Sequence, residues 1–205
     1  MQLGDNRIVP VVVIERADRA AGLGEALVAG GIPVAEVTLR TAAGIDAIAA
    51  MAENSDLLMG AGTVLTADQV DRAVDAGARF IVSPGLNPRV VERALARGVD
   101  VVPGTVTPSE IMAALELGLT TLKFFPADVY GGVKALKALG APFGGVRFIP
   151  TGGVSAANIA EYLALPNVAA VGGSWMVPSA AIDAGDFDTV RHLCASAVAA
   201  MNAEF

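Results

Sequence analysis

Short apolar runs alternate along this chain with stretches whose apolar residues return every three or four positions. Residues 8–14 form the first run and read as a buried strand, after an irregular lead-in over 1–6. Asp18 then stands as an N-cap, with Leu23, Ala26, Leu27 and Gly30 at helical spacing behind it. Gly30-Gly31 stops that helix and Pro33 blocks its resumption. A strand over 34–39 and a helix over 44–53 follow, and the unit repeats. The strand at 57–61 precedes the capping box Thr66-Ala-Asp-Gln69, and the strand at 79–82 precedes Asn87-Pro88, an N-cap with proline at the first helical position. The strand at 99–103 precedes a second capping box, Thr107-Pro-Ser-Glu110, whose helix ends at Gly118. The strand at 120–125 leads to a helix over 132–139, and the strand at 146–150 to a helix capped by Ser155 and running to Ala164. The last strand is expected at 168–171 and the last helix over 186–202.

Strand followed by helix, eight times over, predicts a parallel sheet, and the strands are apolar and often β-branched, as strands covered on both faces should be. Eight units on 205 residues fit a single (β/α)8 barrel domain spanning 1–205. A dinucleotide-type glycine loop after the first strand is missing, because Gly22 and Gly24 lie inside a helix. At 54% hydrophobic and 17% charged the chain is too apolar for disorder, yet its apolar runs are too short for membrane helices. The N-terminal residues do not read as a secretory signal. A net charge of −7 with scattered basic residues argues against a nucleic-acid partner while leaving anionic substrates open. Cys194 is the only cysteine, which excludes an intramolecular disulfide and fits a reducing cytoplasm. With one histidine, His192, on the last helix, a histidine-based metal site is not expected.

The chemistry gathers at the C-terminal ends of the strands, where barrels of this kind keep their active sites. Those ends carry Glu36-Val-Thr-Leu-Arg40, Gly60-Ala-Gly-Thr63, Ser83-Pro-Gly85, Pro103-Gly-Thr105, Lys123 with Phe125, Thr151-Gly-Gly153 and Gly172-Gly-Ser174. Side chains alternate along a strand, so Glu36, Thr38 and Arg40 share the inner face, as do Lys123 and Phe125. A lysine inside an apolar strand is rare unless it is paired or chemically used. A neutral amine there can form a Schiff base with a carbonyl. Strands two and six stand opposite in an eight-strand ring, so Glu36 and Lys123 are expected to face each other with room for a small substrate between them. The bland alternative is a buried ion pair that only joins two strands. Gly152, Gly153, Gly173 and Ser174 follow strands seven and eight, a frequent place for phosphate in barrels, with the helix started by Ser155 adding its N-terminus. Tight strand-to-helix turns explain the same glycines without a ligand. Trp175 either walls the pocket or packs beside it.

Together these segments resemble the 2-keto-3-deoxy-6-phosphogluconate (KDPG) aldolase family, which includes 4-hydroxy-2-oxoglutarate (KHG) aldolase activity. The resemblance rests on Glu36-Val-Thr-Leu-Arg-Thr41, Gly60-Ala-Gly-Thr-Val64, Ser83-Pro-Gly85, Lys123-Phe-Phe-Pro-Ala127, Pro150-Thr-Gly-Gly153 and Gly172-Gly-Ser-Trp175, and it spans nearly the whole chain. It implies a cofactor-free, metal-independent class I aldolase of the Entner–Doudoroff pathway, a homotrimer, acting on a phosphorylated 2-keto acid and releasing pyruvate. It implies Lys123 as the Schiff-base residue, Glu36 as the proton carrier, and Arg40 and Thr63 as substrate contacts, with Phe125 and Thr151 beside them. Galactonate-preferring relatives carry an apolar residue where Thr151 stands, which points to a gluconate-type enzyme. Relatives with an arginine on strand one depart from this chain, whose residues 9–14 have none. A phosphate-binding isomerase using Glu36 as base, or a non-catalytic phospho-ligand sensor, are the competing readings; neither accounts for the lysine on strand six.

Overall fold

A computed structural model of the protein describes residues 6–202. Eight parallel strands run in the ring order β7-β6-β5-β4-β3-β2-β1-β8. They are β1 (Ile8–Val12), β2 (Val34–Thr38), β3 (Leu58–Gly62), β4 (Phe80–Ser83), β5 (Asp100–Thr105), β6 (Thr121–Phe124), β7 (Arg147–Pro150) and β8 (Val171–Gly173). Bridges from Phe148 to Val168 and from Thr151 to Gly172 bring β7 against the β8 segment and nearly close the ring. The helices α1 (Ala20–Ala29), α2 (Gly44–Ala52), α3 (Ala67–Asp75), α4 (Pro88–Ala96), α5 (Pro108–Glu116), α6 (Gly132–Gly140) and α7 (Ile159–Leu163) each follow one strand, and α8 (Ser179–Ala184) and α9 (Phe187–Asn202) follow β8. The expected (β/α)8 barrel is therefore what the chain builds.

The strand faces divide as alternation requires. Val37, Ile81, Leu122, Phe124 and Phe148 are fully buried, in the layer between strands and helices. The Phe124 and Phe148 rings meet edge to face at 6.2 Å. On the inner face the Phe80 ring occupies the space that a side chain at Gly60 would need, so the lower barrel is filled rather than hollow. Both capping boxes form: the Thr66 hydroxyl accepts from the Gln69 amide and the Thr107 hydroxyl from the Glu110 amide. Such a cap is worth about 1 kcal/mol. Burial works to raise the Glu110 carboxyl, but hydrogen bonds from the Val106 amide and from the hydroxyl and amide of Thr107 outweigh it and hold the group below the usual range.

Three local expectations fail for identifiable reasons. Asp18 is not an N-cap: its carboxylate accepts from Arg16, and a 3₁₀ turn over Ala17–Arg19 runs straight into α1. Ser155 does not start a helix. Asn158 accepts from the Ser155 amide at 2.9 Å and donates to the Gly153 carbonyl at 2.9 Å, so a side-chain-bonded turn replaces the first helical turn and α7 begins only at Ile159. The run at 168–171 is shared between two neighbours. Ala169 donates to Phe148 on β7, whereas Val171 donates to Arg7 beside β1, so β8 itself starts at Val171.

Candidate active site

Glu36 enters the barrel from β2, where its Cα partners are Val11 and Gly60. Lys123 enters from β6, partnered by Gly104 and Ile149. Their side chains meet directly: Lys123 Nζ donates to Glu36 Oε1 at 3.1 Å, with the two residues 4% and 3% exposed. The expectation of a gap between them is thus corrected. The barrel is narrow, and both side chains are long enough to cross it. Gly62 makes the contact sterically possible, since a Cβ there would overlap the Glu36 carboxylate. A charged pair out of water satisfies itself in this way.

Above the pair a cavity of 240 Å³ opens, lined by Val11, Val13, Arg40, Phe125, Thr151, Gly152, Gly153, Val154, Gly173 and Ser174. Seven of the residues expected at the site, Arg40, Phe125, Thr151, Gly152, Gly153, Gly173 and Ser174, share this wall. Phe125 ties the wall to the buried pair, its ring centroid lying 5.2 Å from Lys123 Nζ. Arg40 leaves the end of β2 exposed, and its Nε donates to Thr63 Oγ1 at 3.2 Å. Thr63 is the one non-glycine residue with positive φ among the described residues, at 57°. A β-branched residue in that region is strained, and such strain concentrates where a side chain must be aimed. Here it aims the hydroxyl at the guanidinium.

The rim opposite Arg40 is backbone. Gly152 and Gly153 take φ of 93° and 75°, which disfavours a side chain. Asn158 braces this turn through the Gly153 carbonyl. Thr151 is 6% exposed, and Gly172 leaves free the space its hydroxyl fills. Gly173 lies under the Trp175 ring so closely that a Cβ would collide with it. Trp175 therefore packs behind the cavity wall. One cation, several glycines and two hydroxyls around a small mouth suit an anionic, hydroxylated ligand, with the amine–carboxylate pair behind the Phe125 ring.

Sequence reasoning passed over Val11, Val13 and Val154 as wall residues. Alternation along β1 predicts the first two, since Val11 is the register partner of Glu36. Asn158 and the clearance at Gly62 carried no comparable signal. His192 is exposed on α9. Cys194 is fully buried, and desolvation pushes its thiol up to about 12.

The family described as "Aldolase: KDPG and KHG aldolase" matches residues 1–193. The 2-dehydro-3-deoxy-phosphogluconate aldolase of Treponema pallidum is 51% identical over 188 residues, 91% of this chain and 90% of that protein. The KHG/KDPG aldolase of Escherichia coli K12 is 47% identical over 192 residues, 93% of this chain and 90% of that protein. The crystal structure of a KDPG aldolase from Legionella pneumophila, with pyruvate captured at low pH as a covalent carbinolamine intermediate, superposes with a TM-score of 0.90 at 44% identity, covering 93% of each chain. On sequence and fold alike, this chain belongs to the KDPG and KHG aldolase family.

Proposed function

We propose that the protein is a class I aldolase that cleaves 2-keto-3-deoxy-6-phosphogluconate to pyruvate and glyceraldehyde 3-phosphate, with Lys123 as the covalent residue and Glu36 as the proton carrier. The observation that carries this reading is the 3.1 Å contact of a buried lysine and a buried carboxylate, joined through Phe125 to the wall of a cavity at the strand ends. The printed names of its relatives include this aldolase activity, and pyruvate is held as a carbinolamine in the Legionella enzyme. The KHG name of the E. coli relative brings 4-hydroxy-2-oxoglutarate into the proposal as a second substrate.

The steps follow from the residue types. Glu36 takes a proton from Lys123, and neutral Nζ adds to the C2 carbonyl. Glu36 then returns a proton to the carbinolamine hydroxyl, water leaves, and a protonated imine forms. Glu36, again a carboxylate, takes the C4 hydroxyl proton, the C3–C4 bond breaks, and its electron pair flows to the imine nitrogen. Glyceraldehyde 3-phosphate departs, leaving an enamine. Protonation at C3 and hydrolysis release pyruvate and restore Lys123. Arg40, held by Thr63, with Thr151 and Phe125, would orient the substrate. The amides of Gly152, Gly153 and Gly173 with Ser174 would face its phosphate.

The pathway, the cytoplasmic location and the homotrimer are part of the same proposal. Apolar surface at Met112, Val129 and Tyr130, exposed by 58%, 73% and 51%, supports assembly, and sedimentation would read the trimer directly. The test of function is turnover of the phosphorylated substrate by purified protein in excess chelator. Equimolar pyruvate and glyceraldehyde 3-phosphate are expected. No cleavage, or cleavage only with an added divalent ion, would overturn the assignment.

A further inference from the structure

On the opposite face from the catalytic mouth, a cleft of 320 Å³ opens between the end of α6, the α6–β7 loop and the loop before β8. Lys137, Gly140, Gly144, Arg147, Leu165, Pro166 and Asn167 line it. We propose that this cleft is a second binding site, for a small organic anion with an apolar body.

The body of the ligand is argued from the walls. Leu165 and Pro166 present apolar surface, and Gly140 and Gly144 leave it uncovered. The polar edge is fixed in place. Asn167 is 9% exposed, and its amide nitrogen donates to the Leu136 carbonyl at 2.8 Å. A Cβ on Gly140 would come within 3.0 Å of that nitrogen, so the glycine keeps the edge open. The charge of the ligand is argued from the cations. On a chain of net charge −7, Lys137 and Arg147 line one cleft, and neither makes an ion pair among the described residues. Two exposed cations beside an apolar hollow favour an anion there. Arg147 opens β7, and Ile149, two residues on, is the register partner of Lys123.

The probe is 1-anilinonaphthalene-8-sulfonate, an aromatic body bearing one sulfonate, titrated into native protein and read by fluorescence. One saturable site per chain is expected. The affinity should fall about 10-fold or more in the double variant Lys137→Glu, Arg147→Glu, the loss two partly exposed ion contacts allow. The uncharged amine without the sulfonate should bind the wild type more weakly by a similar factor. Both substituted residues are exposed, and circular dichroism checks the fold. If the double reversal unfolds the chain, Lys137→Gln, Arg147→Gln gives the same comparison at a smaller loss. The proposal is overturned by absent or non-saturable binding, by equal affinity in the charge variants, or by loss of the probe from protein whose Lys123 carries the borohydride-reduced pyruvyl adduct, which would place it in the catalytic mouth.

Discussion

Replacing Gly62 by alanine tests whether the Glu36–Lys123 contact is used in turnover. The position does not need glycine for its backbone, since its φ is not positive. It needs glycine for space. An added Cβ would lie 2.6 Å from Glu36 Cγ and 2.8 Å from its Cδ, and closer still to Oε1. Ordinary contact begins near 3.4 Å, so the carboxylate must retreat by roughly 1 Å, enough to take a 3.1 Å hydrogen bond out of range. Two costs follow. Overpacking a filled interior destabilises by about 1–3 kcal/mol, which lowers Tm by about 2–4 °C per kcal/mol in a chain of this size. Misplacing a general acid–base group costs about 10²-fold or more in kcat. The assay is pyruvate release at saturating substrate, beside a thermal melt. Glu36→Gln is the companion: it keeps the volume and loses the proton, so kcat should fall by about 10²–10⁴-fold with little change in KM. A Gly62→Ala protein with the expected lower Tm but unchanged kcat would refute the reasoning, because it would make the buried contact a structural joint and nothing more.

The glycine rim carries its own test. Gly173→Ala drives a Cβ into the Trp175 ring and should lower kcat/KM for the phosphorylated substrate far more than for 4-hydroxy-2-oxoglutarate; equal losses would remove the phosphate assignment. Thr107→Ala should cost about 1 kcal/mol in chemical denaturation through its lost cap, with Tm lower by a few degrees. The Glu110 carboxyl titrates below its ordinary range in the fold, so the stability it contributes is present above that range and is lost as pH falls through the lowered value; the Thr107→Ala penalty should shrink accordingly in acid. Burial raises Cys194 from 9.0 to about 12, so the folded thiol keeps its proton, and stability should decline as pH rises from about 9 toward 12. Ellman's reagent at pH 8 should miss this thiol in native protein and titrate one per chain after unfolding.

Much of this molecule is legible in its sequence. Strand–helix alternation, two capping boxes and Asn87-Pro88 are local signals, and each formed where the spacing put it. Period two also placed Glu36 and Lys123 on inner faces, and the ring order made them opposite. What alternation could not supply was depth. It says which way a side chain points and not how far it reaches, so the direct 3.1 Å contact replaced an imagined gap. Competition between partners was equally hidden. The Asn158 side chain displaced the helix start expected at Ser155, and β7 claimed residues ahead of Val171 that read as strand eight. The left-handed backbone of Thr63 had no sequence signature, because glycine was the residue to expect there.

The central claim is covalent chemistry at Lys123, and one measurement reaches it. The protein is incubated with pyruvate, reduced with borohydride, digested, and its peptides are weighed by mass spectrometry. The account predicts a reduced pyruvyl adduct on the peptide containing Lys123 in the wild type, the same adduct formed more slowly in Glu36→Gln, and none in Lys123→Arg, whose guanidinium stays protonated and cannot add to a carbonyl. An unmodified Lys123 under saturating pyruvate, or an adduct on another lysine that survives Lys123→Arg, would contradict it.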